Sequence, residues 1–234
     1  MASGLILAMV CGQPPTHILA RHGDYLQWFQ DSMDKRVTLH PWNLHERRDE
    51  LDLREFAGLL ITGSPASLTQ PEPWMENAIE TIRHAAEIGT PTLGVCFGHQ
   101  LIGAAFGAQT TQAPGDGEHG SHQVTLTKNG KADPLFANMP AAFDTQLSHH
   151  DQVDPDAVAY GNGLVVLASS ALCPVQALAA GDHIRGVQFH PEFSQEIMQS
   201  YLDPRAPTAA SRACEHAATI LGNWVDHWVL GPAS

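Results

Sequence analysis

Short apolar runs alternate with segments of helical periodicity along the first half of the chain. The runs end near glycine or proline, which is typical of buried strands. The segments between them place apolar residues three or four positions apart, as amphipathic helices do. Because strands apolar on both faces alternate with helices, we expect an α/β fold with a mainly parallel sheet covered on both sides. The predicted strands are 4–10, 36–42, 56–63 and 90–95, and the predicted helices are 23–33, 73–89 and 97–107.

The second half of the chain contains strand-like runs separated by turns, with little helix between them. We interpret these runs as antiparallel strands added to the same sheet. No repeat, low-complexity tract or linker divides the sequence, so we assign residues 1–234 to a single domain. The predicted strands here are 122–127, 164–170, 174–181 and 184–190, and the predicted closing helices are 194–203 and 211–231.

The segment GVCFGHQ, residues 94–100, places a cysteine between two glycines where a predicted strand meets a predicted helix. This G-x-C-x-G pattern is typical of a nucleophile elbow, with cysteine in the place of serine. Gly94 and Gly98 lack the side chains that would clash in so tight a turn. The helix N-terminus would favour the thiolate of Cys96, and the backbone N–H of Phe97 could bind a developing oxyanion. The alternative is a buried structural cysteine at a tight turn.

A second segment of matching chemistry lies at GVQFHPEF, residues 186–193. His190 follows an apolar strand, and Glu192 comes two positions later. Residues i and i+2 of an extended chain point to the same side, so the Glu192 carboxylate could reach the imidazole of His190. A thiol nucleophile needs a base of this kind, and the base needs a third group to orient it. The two segments together favour a catalytic centre over a structural cysteine.

Composition narrows the range of partners and compartments. The 234 residues carry a net charge of −13 with only 12 Lys and Arg, so we do not expect a nucleic-acid partner. No apolar run approaches the roughly 20 residues that span a bilayer, and the N-terminal sequence lacks the basic region of a signal peptide. The four cysteines are scattered without a C-x-x-C pair, which indicates free thiols in a reducing cytoplasm.

With these two segments in this order, the chain resembles the class I glutamine amidotransferases, whose centre is a Cys-His-Glu triad. The resemblance covers nearly the whole chain and implies a flavodoxin-like fold. It implies that Cys96 is the nucleophile, His190 the base and Glu192 its orienting partner. The segment QLSHHDQV, residues 146–153, is similar to the Ser-His-x-Asp loop in the amidotransferase domain of GMP synthetases.

The resemblance also implies roles for residues outside the triad. ITGSPAS, residues 61–67, resembles the glycine-rich loop whose backbone N–H groups complete the oxyanion hole. GEHGSHQV, residues 117–124, resembles the segment that lines the glutamine pocket. The predicted oxyanion hole comprises Gly63, Ser64 and Phe97, and the predicted substrate-binding residues are Gln100, Glu118, His149 and Asp151.

Other chemistry was weighed against this prediction. The pairs His119/His122 and His149/His150 could bind Zn²⁺ if a third ligand converged, but no HExxH or Cys/His quartet is present, so we predict neither a metal nor a cofactor. Three functions stay open from the sequence. The chain could be a glutaminase that delivers ammonia to an unidentified acceptor enzyme or subunit, a stand-alone hydrolase of γ-glutamyl compounds, or a binding protein without turnover. The intact triad argues against the third, and the apolar final helix leaves a homodimer open.

Overall fold

The computed structural model describes residues 4–44, 51–159, 162–202 and 210–231. Over these ranges the chain forms an α/β domain around a nine-stranded sheet, with a separate two-stranded sheet at one side. The strands are β1 (Leu5–Val10), β2 (Thr38–Asn43), β3 (Gly58–Ile61), β4 (Thr92–Val95), β5 (Thr110–Gln112), β6 (Glu118–Leu126), β7 (Ala142–His149), β8 (Asp151–Val153), β9 (Leu164–Ser169), β10 (Ala177–Ala180) and β11 (Ile184–Val187). The helices are α1 (Thr16–His22), α2 (Tyr25–Ser32), α3 (Pro73–Ile88), α4 (Phe97–Ala105), α5 (Lys128–Ala132), α6 (Pro155–Ala159), α7 (Gln195–Tyr201) and α8 (Thr219–Trp224).

The large sheet divides into a parallel half and an antiparallel half. Its strand order is β2-β1-β3-β4-β11-β10-β9-β6-β7, and β5 pairs with β8 in the small sheet. The strands from β2 to β11 in this order are parallel, and the rest are antiparallel to their neighbours. The mainly parallel α/β fold that the sequence predicts is therefore confirmed.

One strand was assigned the wrong direction. The segment 184–190 was predicted to be an antiparallel addition, but β11 pairs in parallel with β4. A hairpin turn at Gly181 reverses the chain after β10 and inserts β11 beside β4. Val187 is level with Val95 at the carboxyl ends of the two strands, and the Cys96 N–H donates to the Val187 carbonyl over 2.8 Å. This pairing brings the two predicted catalytic segments to the same edge of the sheet.

Alternation along the parallel strands produces two separate apolar faces. Ile6, Ala8 and Leu60 point to one face, and Leu7, Leu59 and Ile61 point to the other. Helices α2 and α8 cover the first face, and α3 and α4 cover the second. The sheet is therefore buried on both sides, which holds the carboxyl ends of its strands in fixed positions.

Several elements differ from the prediction. Helix α1 was not predicted from the sequence, and its N-cap is Pro15, directly before the first helical residue. The closing helix predicted over 211–231 begins only at Thr219 and continues beyond α8 as a π-helical turn, Val225–Val229. The end of the predicted helix 194–203 lies outside the described residues, and α7 ends at Tyr201.

The segment 146–153 is not a loop. Residues 146–149 belong to β7 and residues 151–153 form β8, so the Ser-His-x-Asp segment is extended on both sides of His150. The backbone pairs of β7 with β6 hold this segment in place. Among the described residues, no helix is both long and apolar enough to cross a membrane.

Candidate active site

Cys96 lies at the turn between β4 and α4, as the sequence predicts. Its backbone has φ 54° and ψ −103°, a conformation that L-residues rarely adopt and that marks a strained elbow. A Cβ atom on Gly94 would lie 2.4 Å from the Gly98 carbonyl oxygen, and one on Gly98 would lie 2.5 Å from that of Ile61. Both glycines are therefore required for the elbow to close against β3.

The Cys96 side chain is 6% exposed and opens into a cleft of about 390 Å³. Its Sγ lies 3.8 Å from the Ser148 carbonyl oxygen on β7. Phe97 begins α4, and the first N–H groups of a helix have no intrahelical acceptor. A cleft of this volume suits a small-molecule substrate, and the helix N-terminus favours an anion beside Cys96.

His190 and Glu192 form a buried pair beside this cysteine. The His190 Nδ1 atom lies 2.8 Å from Glu192 Oε1, and both residues are 3% exposed. Burial alone would lower the pKa of His190, but the charges of Glu192 and Cys96 and hydrogen bonds to both outweigh it and raise that pKa to about 10. The ring is thus tied to the carboxylate at one nitrogen, and the Cys96 side chain lies close enough to raise the pKa of His190.

Phe193 holds the plane of the His190 ring. The two rings are stacked with centroids 3.9 Å apart and an angle of 20° between their planes. The Phe193 N–H also donates to the His190 carbonyl oxygen over 3.3 Å, so the turn after His190 places the two rings together. Phe193 follows the His-Pro-Glu segment directly, and its stacking role was not predicted from the sequence.

The predicted oxyanion-hole residues lie around the same thiol. A Cβ atom on Gly63 would lie 3.7 Å from Cys96 Cβ and 3.3 Å from His190 Cε1, so this position is adjacent to two side chains of the predicted triad. Ser64 and Phe97 line the cleft. The Ser64 hydroxyl accepts the Ala66 N–H over 3.1 Å, which fixes the loop after β3. Their contact with an oxyanion stays a prediction.

Three of the four predicted substrate-binding residues line the cleft: Gln100, His149 and Asp151. The Gln100 side-chain amide donates to the Asp151 carbonyl oxygen over 3.0 Å and to Gln188 Oε1 over 3.2 Å. The Asp151 carboxylate accepts a short hydrogen bond from the Ser67 hydroxyl. These contacts connect α4, β8 and the loop after β3, so they shape one wall of the cleft.

Glu118 does not line the cleft with the others. It is 2% exposed and lies behind His149, with its Oε2 atom 3.2 Å from His149 Nε2. It also accepts hydrogen bonds from Ser170 over 2.7 Å and from Gln176 over 2.6 Å. Burial alone would raise the pKa of Glu118, but the hydrogen bonds from His149 and Ser170 outweigh it and lower that pKa. Direct contact of Glu118 with a substrate stays a prediction, and its position indicates a role through His149.

The His-rich segments use their ring nitrogens within the fold. His122 Nε2 contacts the His119 carbonyl oxygen at 2.9 Å, and His150 Nδ1 contacts that of Asp116 at 2.9 Å. Glu118, His149 and Cys173 could offer metal-ligand atoms within 4.8 Å of one another, although Glu118 is already occupied by three hydrogen-bond donors. Burial raises the pKa of Cys173 to about 12, which disfavours the thiolate that a metal would need.

Two residues of the cleft had no indication in the sequence. Tyr25 begins α2 and Tyr201 ends α7, so they are far apart along the chain and meet only in the fold. Their hydroxyl oxygens are 3.2 Å apart. Neither lies in a segment of recognisable chemistry, and only the packing of α1, α2 and α7 brings them to the cleft.

A strained cysteine elbow, a buried His-Glu pair and a flanking glycine loop on a parallel sheet define a cysteine-dependent amidotransferase or amide hydrolase. Comparison with known proteins agrees with this class. Residues 29–203 match the family model described as glutamine amidotransferase class-I, and the chain belongs to that family.

Relatives with described activities cover part of the chain. A GMP synthase (glutamine-hydrolysing) of Thermomicrobium roseum is 33% identical over 145 residues, which are 62% of this chain and 25% of that protein. Gamma-glutamyl peptidase 3 of Arabidopsis thaliana is 30% identical over 158 residues, 66% of this chain and 62% of that protein. The chain thus matches about a quarter of the length of the GMP synthase and under two thirds of the peptidase.

Solved structures match the fold over almost the whole chain. A glutamine amidotransferase from Thermotoga maritima has a TM-score of 0.71 and 18% identity, with coverage of 96% of this chain and 97% of that one. A glutamine amido transferase from Methylobacillus flagellatus has a TM-score of 0.69 and 20% identity, with coverage of 98% and 93%. At this identity the likeness concerns the fold alone.

Proposed function

We propose that this enzyme hydrolyses the γ-carboxamide of L-glutamine to glutamate and ammonia through a γ-glutamyl thioester on Cys96. The observation that carries the proposal is the preassembled triad, in which His190 is bound to Glu192 at 2.8 Å and interacts with the Cys96 thiol. Gly63 lies against both catalytic side chains, so the reacting carbonyl would sit between them and the loop after β3.

In the proposed reaction the Cys96 thiolate attacks the γ-carbonyl carbon, and His190 carries the thiol proton. The oxyanion forms beside the N-terminus of α4 and the Gly63 loop, where backbone N–H groups can stabilise it. The C–N bond breaks as His190 donates its proton to the leaving nitrogen. Water then attacks the thioester with His190 as base, and the C–S bond breaks to release glutamate and restore the thiol.

One wall of the cleft would hold the glutamyl part of the substrate. Gln100, His149 and Asp151 line this wall, and their backbone and side-chain hydrogen bonds fix it before a substrate arrives. Glu118 would act from behind by holding the His149 ring. The buried free thiol of Cys173 suits a reducing compartment, so a cytoplasmic location is part of the proposal.

The fate of the ammonia depends on a partner. The similarity to GMP synthases covers about a quarter of their length, so this chain could supply ammonia to a separate acceptor enzyme or subunit. A second candidate, stand-alone hydrolysis of γ-glutamyl peptides, is favoured by the similarity to Gamma-glutamyl peptidase 3 over 66% of this chain. Both candidates use the same thioester and differ in the amine that leaves.

The test is release of ammonia and glutamate from L-glutamine by the purified enzyme, with Cys96→Ala as the inactive variant. Cys214→Ala is the matched control, because Cys214 is a free cysteine that does not line the cleft. We expect Cys96→Ala to lose all measurable release and Cys214→Ala to retain it. Equal release by wild type and Cys96→Ala would refute the proposed function.

A further inference from the structure

The cleft continues on the imidazole side of Cys96, where a leaving group would depart. His190 donates the proton to the leaving nitrogen, so that nitrogen must lie on the same side of Cys96 as the imidazole. The part of the cleft assigned to the glutamyl group is lined by Gln100, His149 and Asp151. The residues around the imidazole therefore surround the leaving group.

Three aromatic side chains form this part of the cleft. Phe193 is stacked between His190, at 3.9 Å, and Tyr201, at 5.1 Å between ring centroids. Tyr25 joins them through its hydroxyl, which lies 3.2 Å from that of Tyr201. Burial raises the pKa of both phenols, so they stay neutral and can donate hydrogen bonds. Ammonia has no apolar surface to place against such rings, whereas an amine with a side chain does.

A groove between α1 and α7 opens from this aromatic wall. Tyr201 lines both the cleft and the groove. His17 and Arg21 lie four residues apart on one face of α1, opposite Gln195 and Gln199 on one face of α7. The His22 Nε2 atom contacts the Ser200 hydroxyl at 2.8 Å and joins the two helices. The groove is therefore a fixed, largely polar extension of the cleft.

Arg21 brings a guanidinium to this groove, and Glu196 on α7, which also lines it, brings one carboxylate. The whole sequence has only 12 Lys and Arg against 25 Asp and Glu, so a cation beside the active-site cleft is unusual here. Arg21 forms no hydrogen bond or ion pair with any other residue that the structure describes, whereas Arg36, Arg54, Arg185 and Arg212 are all paired with carboxylates. A guanidinium in this position can bind a carboxylate through two parallel hydrogen bonds.

We propose that the aromatic wall and the α1/α7 groove form a leaving-group subsite for a γ-glutamyl peptide whose leaving amine has an apolar side chain and a free carboxylate. This inference rests on the proposed function, because it uses the same thioester at Cys96. The amide C–N bond breaks, His190 protonates the amino group of the departing peptide, and water releases glutamate from Cys96. No co-reactant besides water is needed.

The dimensions suit a leaving group of two residues. Ring-to-ring steps of 3.9 and 5.1 Å lead from His190 through Phe193 to Tyr201, where the groove begins. His190 and Tyr201 cover the two faces of the Phe193 ring, so the first side chain would lie against Tyr201, which lines both the cleft and the groove. Two extended residues span about 7 Å, which lets the terminal carboxylate reach the groove. A leaving ammonia molecule would fill neither the aromatic wall nor the groove.

The test compares γ-glutamylphenylalanylglycine with its C-terminal amide, which differs only in lacking the carboxylate. The readout is the ratio of their kcat/KM values, measured beside L-glutamine for wild type, Cys96→Ala, Arg21→Gln and Arg54→Gln. Arg54 is an exposed arginine paired with Asp52 and does not line the cleft or the groove, so Arg54→Gln is the matched control. We expect wild type and Arg54→Gln to favour the free acid by roughly tenfold, and Arg21→Gln to favour neither.

Each other outcome overturns a stated part. Cys96-dependent hydrolysis of L-glutamine with a wild-type ratio near one would refute the subsite and leave the proposed function standing. A high ratio that persists in Arg21→Gln would refute the carboxylate-binding role of the groove. Absence of Cys96-dependent hydrolysis of all three compounds would refute the proposed function and this inference together.

Discussion

Two buried histidine–glutamate pairs lie at this active site and differ in how their hydrogen bonds are used. His190 and Glu192 are joined at 2.8 Å, and His149 and Glu118 at 3.2 Å. Both pairs are almost completely inaccessible to solvent, and both histidines line the cleft. From residue types and burial alone, either pair could supply the base that a cysteine nucleophile needs.

The second ring nitrogen separates the two pairs. The His190 Nδ1 atom contacts Glu192, which leaves the other ring nitrogen available to Cys96. His149 has Nε2 on Glu118 and Nδ1 on the Asp151 carbonyl oxygen at 2.9 Å, so both nitrogens are occupied. A general base must exchange a proton with the reacting group, and a ring with both nitrogens committed to the fold cannot do so.

The carboxylates differ in the same way. Glu118 accepts hydrogen bonds from His149, Ser170 and Gln176, whereas Glu192 Oε2 has no partner among the described residues. A buried polar network whose members are all hydrogen-bonded adds rigidity to the structure around it. On this comparison we propose that His190 takes part in the chemistry and that His149 supports the cleft wall.

The largest expected effect is a difference in kcat between variants of the two histidines. His190→Gln should lower kcat by roughly 10³-fold or more, because the general base is lost. His149→Gln should change kcat by less than about tenfold and mainly raise KM, because the wall is disturbed and the chemistry is not. Steady-state kinetics with L-glutamine check both, and an equal loss of kcat in the two variants would break the comparison.

The pH dependence of Glu192→Gln should show the next largest effect. His190 has a pKa of about 10, so it stays protonated as general acid until the pH rises through that value, and wild-type kcat/KM should fall there. Loss of the Glu192 charge should move this alkaline limb to lower pH by about one unit or more. It should also lower the maximal kcat/KM roughly 10²-fold. Profiles of kcat/KM between neutral and alkaline pH check this, and an unmoved limb would contradict it.

Glu118→Gln should lower the free energy of unfolding at neutral pH, and this loss should become smaller in acid. The pKa of Glu118 is lowered from its ordinary value of 4.5, so its contribution is present above that value and is lost as the pH falls through the folded-state pKa. We expect a loss of about 1–3 kcal/mol at neutral pH that shrinks below pH ~4.5. Urea titrations across this range measure it, and the alkaline limb of kcat/KM should stay where wild type has it. A constant difference at every pH would rule out this role.

The smallest expected effect comes from Phe193→Leu. The stacked ring stabilises the His190 imidazolium through its π face, which is worth about 0.5–2 kcal/mol in a desolvated site. The alkaline limb should therefore move to lower pH by roughly 0.4–1.5 units. The free energy of unfolding should also fall by about 1 kcal/mol or more, because Phe193 packs on Trp28 and Tyr201. The same pH profiles report this shift. A profile identical to wild type, with a lower kcat only, would assign Phe193 to packing.

The sequence predicted the parts of this molecule that depend on local pattern. Apolar runs predicted the buried parallel strands, and the spacing around Cys96 predicted the elbow, because glycine is the only residue that fits at 94 and 98. His190 and Glu192 were recognisable because they are two residues apart. These features are set by neighbours along the chain, so their physical causes are visible in the sequence.

The missed features depend on contacts between distant segments. The direction of β11 follows from its insertion beside β4, which no pattern within residues 184–190 reveals. Strand β7 contains buried polar residues such as Gln146, so its sequence lacks the apolar run that predicts a buried strand. The Gln146 carbonyl oxygen accepts the His190 N–H over 2.9 Å, a contact between distant segments. The position of Glu118 behind His149 likewise depends on the pairing of β6 with β7, while its contact with substrate stays a prediction.

The central claim is tested most directly by the mass of the intact protein during turnover. Wild type would be mixed with L-glutamine, quenched in acid within the first turnovers, and compared with Cys96→Ala treated in the same way. We predict an added mass of one γ-glutamyl group on wild type, located by peptide mapping to Cys96, and none on Cys96→Ala. Turnover with no adduct at Cys96, or an adduct that persists in Cys96→Ala, would contradict the account.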